Sequence, residues 1–149
     1  MIPDFDEHGL LLPGVYDCTW NEIQQRFCWN EHRRERYRGL ERFLQQVWEP
    51  MEIVCPIFVD GSFCRKKELP DDIDIVLDGL AAPPEKHWPL AALCFRRSKF
   101  KETYHVDVWA RLPLLPHDLS VFFQYVGDKA AAELQLEPKH PKGILRVLP

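Results

Sequence analysis

The side chains best placed to do chemistry lie in residues 58–78, FVDGSFCRKKELPDDIDIVLD. Asp72-Ile73-Asp74-Ile75-Val76-Leu77 alternates with the period of a strand, which puts Asp72 and Asp74 on one face and Ile73 and Ile75 on the other. Two carboxylates about 7 Å apart along one strand face can share a divalent cation, and their hard oxygens suit magnesium. Pro70-Asp71-Asp72 taken alone is ordinary turn chemistry. Upstream, Val54, Ile57, Phe58 and Val59 predict a buried strand, and Gly61 ends it where a side chain would obstruct a ligand approaching the backbone. Ser62 stands as the N-cap of a short helix over SFCRKKEL, so the turn offers N–H groups and a hydroxyl to a phosphate. Arg65, Lys66 and Lys67 follow it, cations that can hold an anion locally.

This combination resembles the signature of the DNA polymerase beta-like nucleotidyltransferase superfamily. That signature is an apolar residue, Gly, Gly or Ser, a gap of nine to thirteen residues, then Asp, apolar, Asp or Glu, apolar. Gly61-Ser62, nine intervening residues and Asp72-Ile73-Asp74-Ile75 satisfy the terms that follow the first residue. The chain departs from the pattern at Asp60, where the family usually has an apolar residue, and at Lys66, where small members have Gly. The resemblance implies a third metal-binding Asp on a later strand, and Tyr104-His105-Val106-Asp107-Val108-Trp109 makes Asp107 the candidate. It further implies a two-ion magnesium site on Asp72, Asp74 and Asp107. The substrate would be a nucleoside triphosphate, ATP by default, with phosphates held by Gly61, Ser62, Arg65 and Lys67. The implied activity is transfer of a nucleoside monophosphate to a protein or RNA acceptor, with a bacterial toxin-antitoxin or defence setting as one context. The alternatives are a catalytically silent binding module of the same fold and a small-molecule nucleotidyltransferase. Along most of its length the chain is also similar to a little-characterised bacterial set of single-domain nucleotidyltransferase-like proteins. The shared features are a leader like Phe5-Asp6-Glu7-His8-Gly9-Leu10, an Asp60-Gly61-Ser62-Phe63 turn, Phe122-Phe123-Gln124 and Lys142-Gly143-Ile144.

A chain of 149 residues, 46% hydrophobic, is long enough to bury one core and too short for a polymerase with separate template-binding domains. The expected fold class is α/β (α+β), a small mixed sheet with flanking helices, in a single domain over residues 1–149. The longest apolar stretch, residues 9–15, is interrupted by Pro13 and Gly14, so no membrane span is expected. Cys18, Cys28, Cys55, Cys64 and Cys94 are odd in number and lack Cys-x-x-Cys spacing, which argues against a disulfide framework or zinc site and for a cytoplasmic protein. Net charge is −4, so strong general binding to nucleic acid is not expected.

The remaining elements must position those side chains. Residues 1–18 read as an extended arm, because Pro13 forbids a continuous helix. Residues 19–49 read as N-terminal helices, the first opened by a Thr19-x-x-Glu22 capping box and the next by Asn30. Tyr37, Leu40, Phe43, Leu44, Val47 and Trp48 form its apolar stripe, and Pro50 stops it. Arg34, Arg38 and Arg42 make a basic row that Glu31, Glu35 and Glu41 can neutralise, or that can dock phosphate, RNA or a protein. A loop over residues 80–89, a short helix over 90–97 with Leu93, Cys94 and Phe95 inward, a turn over 98–102 and a strand over 103–110 follow. That strand would put His105 beside Asp107. Asp118 can cap a helix over 119–126, whose Phe122, Phe123 and Tyr125 read as core or as the floor under a base. AAAELQL is a short helix, and residues 144–148 alternate as an edge strand.

Overall fold

Alternation of apolar and polar residues in five short segments builds the sheet on which everything else rests. The computed structural model describes residues 1–113, 115 and 118–149, except for the side chains of residues 120 and 122. Strands β1 (Gly14–Cys18), β2 (Ile57–Asp60), β3 (Ile73–Asp78), β4 (Val106–Arg111) and β5 (Gly143–Val147) form one mixed sheet in the order β1-β5-β2-β3-β4. β1 runs parallel to β5 and β3 parallel to β4, while β2 is antiparallel to both its neighbours. Helices α1 (Trp20–Phe27), α2 (Glu31–Phe43), α3 (His87–Phe95), α4 (Arg97–Tyr104), α5 (Leu119–Phe122) and α6 (Asp128–Leu134) flank it, giving the expected α+β class.

The two faces of the sheet have different partners. Ile57, Val59, Ile73, Ile75, Leu77, Val106 and Val108 face the main core with Phe27 of α1, Leu40 and Phe43 of α2 and Phe100 of α4. On the other face Phe58, Val76 and Ile144 form a smaller apolar cluster with Trp109, Leu119 and Phe123. The starts of α1 and α2 are fixed by side chains, as anticipated. Thr19 and Glu22 complete a reciprocal capping box, and the Asn30 side chain accepts from the Arg33 N–H.

Several elements differ from the expectations. The stretch read as an arm is a structural strand, with β1 at the sheet edge. β5, expected at the edge, is interior, between β1 and β2. Pro13 does block a helix, but Gly14–Cys18 finds a parallel partner in Gly143–Val147. Ahead of β1, the Asp6 carboxylate accepts from His8 N and Leu10 N, and Phe5 bridges to Leu11, so Leu10 and Leu11 fold under the domain and are buried. Val54 lies outside β2 and is exposed. The regular part of α2 stops at Phe43 and continues through a wider π turn (Leu44–Trp48) and a 3-10 turn (Glu49–Met51) to the left-handed Glu52. Residues 98–102 belong to α4, and α3 begins within the expected loop and leaves Phe95 exposed. His105 is the left-handed residue, φ 55°, that ends α4, so β4 starts one residue later and His105 does not stand beside Asp107 on the strand. α5 is a single turn, after which Tyr125 bridges to Pro141. Phe123 packs on Trp109, whereas Tyr125 is 44% exposed; the Phe122 side chain lies outside the described residues. Among the described residues no helix is long and apolar enough to cross a membrane.

Candidate active site

Strand register assembles the acids. Asp60 of β2 is paired with Asp74 of β3, and Asp74 with Asp107 of β4, so three carboxylates stand side by side across three adjacent strands. Asp72 immediately precedes β3, two residues from Asp74, on the same face. A cleft of about 390 Å3 opens over this row, and its lining includes Asp72, Asp74, Asp107, Gly61, Ser62, Arg65 and Lys67. The candidate residues therefore meet at one place. Asp60 joins them there; the superfamily pattern marked it as a departure, and the single-domain set as part of its Asp60-Gly61-Ser62-Phe63 turn.

Gly61 couples the turn to the acids. Its φ of +79° favours glycine, and a Cβ there would fall on Asp74 Oδ2. The backbone thus lies directly against the acid row. The helix expected over residues 62–69 is a single 3-10 turn, Ser62–Cys64, capped by Gly61 and not by Ser62. Its shortness follows from burial: Phe63 and Cys64 turn into the core, and the chain then leaves as an extended Arg65.

Arg33 ties this turn to the helical layer. It is fully buried, and its guanidinium donates to the backbone carbonyls of Phe27, Phe63 and Lys67. The same group stacks 3.7 Å from the Trp29 ring centroid and 4.5 Å from that of Phe63. Burial lowers its pKa to about 10, which still leaves it charged at neutral pH. Sequence reasoning passed over Arg33 as one of many arginines in α2. Its spacing from Tyr37 and Leu40, four and then three residues, was the available signal, since it places Arg33 on the apolar stripe.

Cations meet most of the acid row. Lys142 Nζ donates to both oxygens of Asp60 at 2.6 Å. Arg97 grips both oxygens of Asp107 while stacking 3.6 Å from the centroid of the Trp109 ring. Lys101, one turn along α4, lies 3.1 Å from Asp72 and 3.8 Å from Asp107. Asp74 has no such grip among the described residues. Burial, then the charges of Asp72, Asp60 and Asp107, push its pKa up to about 8. The i, i+4 pair Arg97 and Lys101 was hidden because Arg97 read as the end of one helix and Lys101 as part of the turn after it; Lys142 appeared only as part of a tail motif.

At the other end of the cleft Arg65 and Lys67 converge on Glu133 of α6, at 2.6 and 3.7 Å. The basic row on α2 is partly neutralised, since Arg34 and Arg38 both pair with Glu31 at 2.9 Å. The five cysteines are free thiols, and burial raises Cys64 well above its ordinary pKa, so it is no poised nucleophile.

Among the described residues no three His, Cys, Asp or Glu side chains are disposed to close round one metal ion. Arg97 and Lys101 hold the oxygens of Asp107 and Asp72 that such an ion would need. The donor chemistry nonetheless suits a hard divalent cation, with Asp74 as the acid whose charge is least compensated. A cation held by all three acids would need Arg97 and Lys101 to let go.

The profile of a family of unknown function, DUF6932, matches residues 3–148. The chain belongs to the DUF6932 family. No curated protein and no solved structure matches it. The DUF6932 match takes in β1 and β5 alike, so the segment expected to be an appended arm is part of the family's common unit.

Proposed function

We propose that this chain is a metal-dependent nucleotidyltransferase that moves a nucleoside monophosphate from a nucleoside triphosphate, ATP by default, to a protein or RNA acceptor. One observation carries the reading: the Gly61-Ser62 turn and the acid row are a single assembly, because the space a side chain would need at position 61 is taken by Asp74. A phosphate chain lying on that turn would be next to the carboxylates. The cleft is of the size that small-molecule sites occupy.

In this reading Asp72, Asp74 and Asp107 would hold magnesium, which supplies charge neutralisation at the transferred phosphate and lowers the pKa of the attacking hydroxyl. The Gly61-Ser62 turn, through close approach at Gly61 and the Ser62 hydroxyl, would orient the phosphates. Arg65 and Lys67 offset their charge. Tyr125 lines the same cleft, half exposed, and offers a ring to a base. Arg33 fixes the turn from behind through the Phe63 and Lys67 carbonyls, so the donors keep their aim. Free thiols fit a cytoplasmic setting.

A second reading draws on the ion pairs. If Arg97, Lys101 and Lys142 stay on their acids, the fold serves as a catalytically silent binding module. Incubation with labelled ATP, CTP, GTP and UTP against lysate protein, total tRNA and an aminoglycoside panel separates the cases. Label on protein or RNA supports the proposal, label confined to the small molecules moves the acceptor, and none anywhere with magnesium present favours the module.

A further inference from the structure

We propose that Glu133 is a built-in competitor for the polyphosphate subsite of this cleft, and that a tripolyphosphate group binds by displacing its carboxylate from Arg65 and Lys67. This rests on the nucleotide-binding reading of the same site and adds how entry to it is controlled. Glu133 Oε2 sits 2.6 Å from Arg65 Nη2 and 3.7 Å from Lys67 Nζ, and Lys129, one turn earlier on α6, also lines the cleft. Arg65, Lys67 and Lys129 all hold the Glu133 carboxyl below its usual range, with the Arg65 hydrogen bond as the largest cause. Two cations thus converge on one carboxylate, and Lys129 adds positive charge to the same cleft. That is the charge pattern a phosphate chain would satisfy better, having more oxygens and more negative charge.

The two partners of this ion pair differ in how firmly they are placed. Arg65 is almost buried, its side chain 11% exposed, and it follows a turn anchored by Arg33. Glu133 is 38% exposed and rides on a seven-residue helix whose apolar attachment is the small cluster of Leu10, Val126 and Ala131 with its partly buried neighbours. Arg65 is therefore the fixed part of the subsite and the carboxylate the movable one. Removing the Glu133 charge removes the competitor while leaving the cations in place.

Calorimetric titration with inorganic tripolyphosphate in magnesium buffer, comparing the natural sequence with E133Q, E133D and R65Q, tests this. E133Q is expected to bind about three- to tenfold tighter, in keeping with the modest strength of half-exposed ion pairs. E133D, with its carboxylate drawn back, should gain less, and R65Q should lose about tenfold or more. The E133Q gain should shrink as salt is raised. Equal or weaker binding by E133Q, or no binding by either protein, overturns the proposal. So does a lower melting temperature for E133Q with unchanged affinity, which is what a purely structural ion pair would give. The labelled-transfer assay on the same proteins separates the two ideas. A tighter E133Q without transfer keeps the subsite and sinks the transferase reading, whereas transfer with an unchanged E133Q does the reverse.

Discussion

The two faces of the β3 strand follow opposite rules within six residues. Ile73, Ile75 and Leu77 are wholly buried against the helices, where dispersion and loss of apolar surface from water hold the sheet. Asp72 and Asp74 look the other way, onto a row of acids that repel one another until cations are supplied. At this end of the strand the helix-facing side stores stability and the acid row consumes it, while farther along the acid-bearing face Val76 is buried with Phe58 and Ile144. Adjacent positions should therefore respond to substitution in opposite senses, and the comparison can be broken there.

The largest contrast is between Asp74→Asn and Ile75→Ala. Asp74→Asn should lower transfer by about a hundredfold or more while the domain stays folded, as should Asp72→Asn and Asp107→Asn. Ile75→Ala should cost about 2–5 kcal/mol of stability, read by urea unfolding, because it opens a cavity in the main core. Full activity in Asp107→Asn would shift the third acid to Asp60, the remaining member of the row.

Next comes Arg33. Arg33→Met leaves the Phe27, Phe63 and Lys67 carbonyls without their donor and should cost about 3 kcal/mol. If the loss is no larger than for an exposed arginine such as Arg34, the turn is held by something else.

A smaller effect concerns pH. Asp74 has a folded pKa raised to about 8, so between about pH 4 and 8 the folded state binds more protons than the unfolded chain at this position. Its contribution to stability is present below pH 4 and is lost as pH rises through 8. Without metal, Asp74→Asn should therefore melt higher than the natural sequence at pH 8 and no higher at pH 4. A variant that melts lower at both would mean that Asp74 is not a source of strain.

The smallest effect sharpens the acceptor question. Arg34→Ala and Arg38→Ala should change stability by less than about 0.5 kcal/mol, because each loses an exposed pair with Glu31, and Arg34 in addition only an exposed 3.3 Å hydrogen bond to the Cys28 carbonyl. If RNA is the acceptor and this face docks it, the same changes should weaken transfer and flatten its salt dependence.

What could be read from the sequence was whatever local periodicity encodes. The alternation through Ile73 to Leu77, the Thr19-Glu22 box, the Asn30 cap and the apolar stripe of α2 each act within one segment. Pairings between distant segments were not legible. Nothing near Asp60 announces Lys142, and nothing near Asp107 announces Arg97 until residues 97–104 are known to be a helix. β1 and β5 were separately readable as extended, but which was the edge depended on a parallel partner found far along the chain. The candidate residues were picked out by motif spacing; Arg97 and Lys101 had no motif, and the one that held Lys142 did not link it to Asp60.

The interior place of β5 also bears on how the protein is made. A ribosome delivers Asp60 long before Lys142, and strand β2 cannot gain its second neighbour until residues 143–147 emerge. Until then the nascent sheet has an unpaired edge running beside Asp60, and the acid row lacks one of its balancing cations. Because these contacts span most of the chain, closure of the sheet should be a late and slow event. The cleft then comes into being only as a newly synthesised chain completes its sheet, and an interrupted translation product would carry the acids without the pocket.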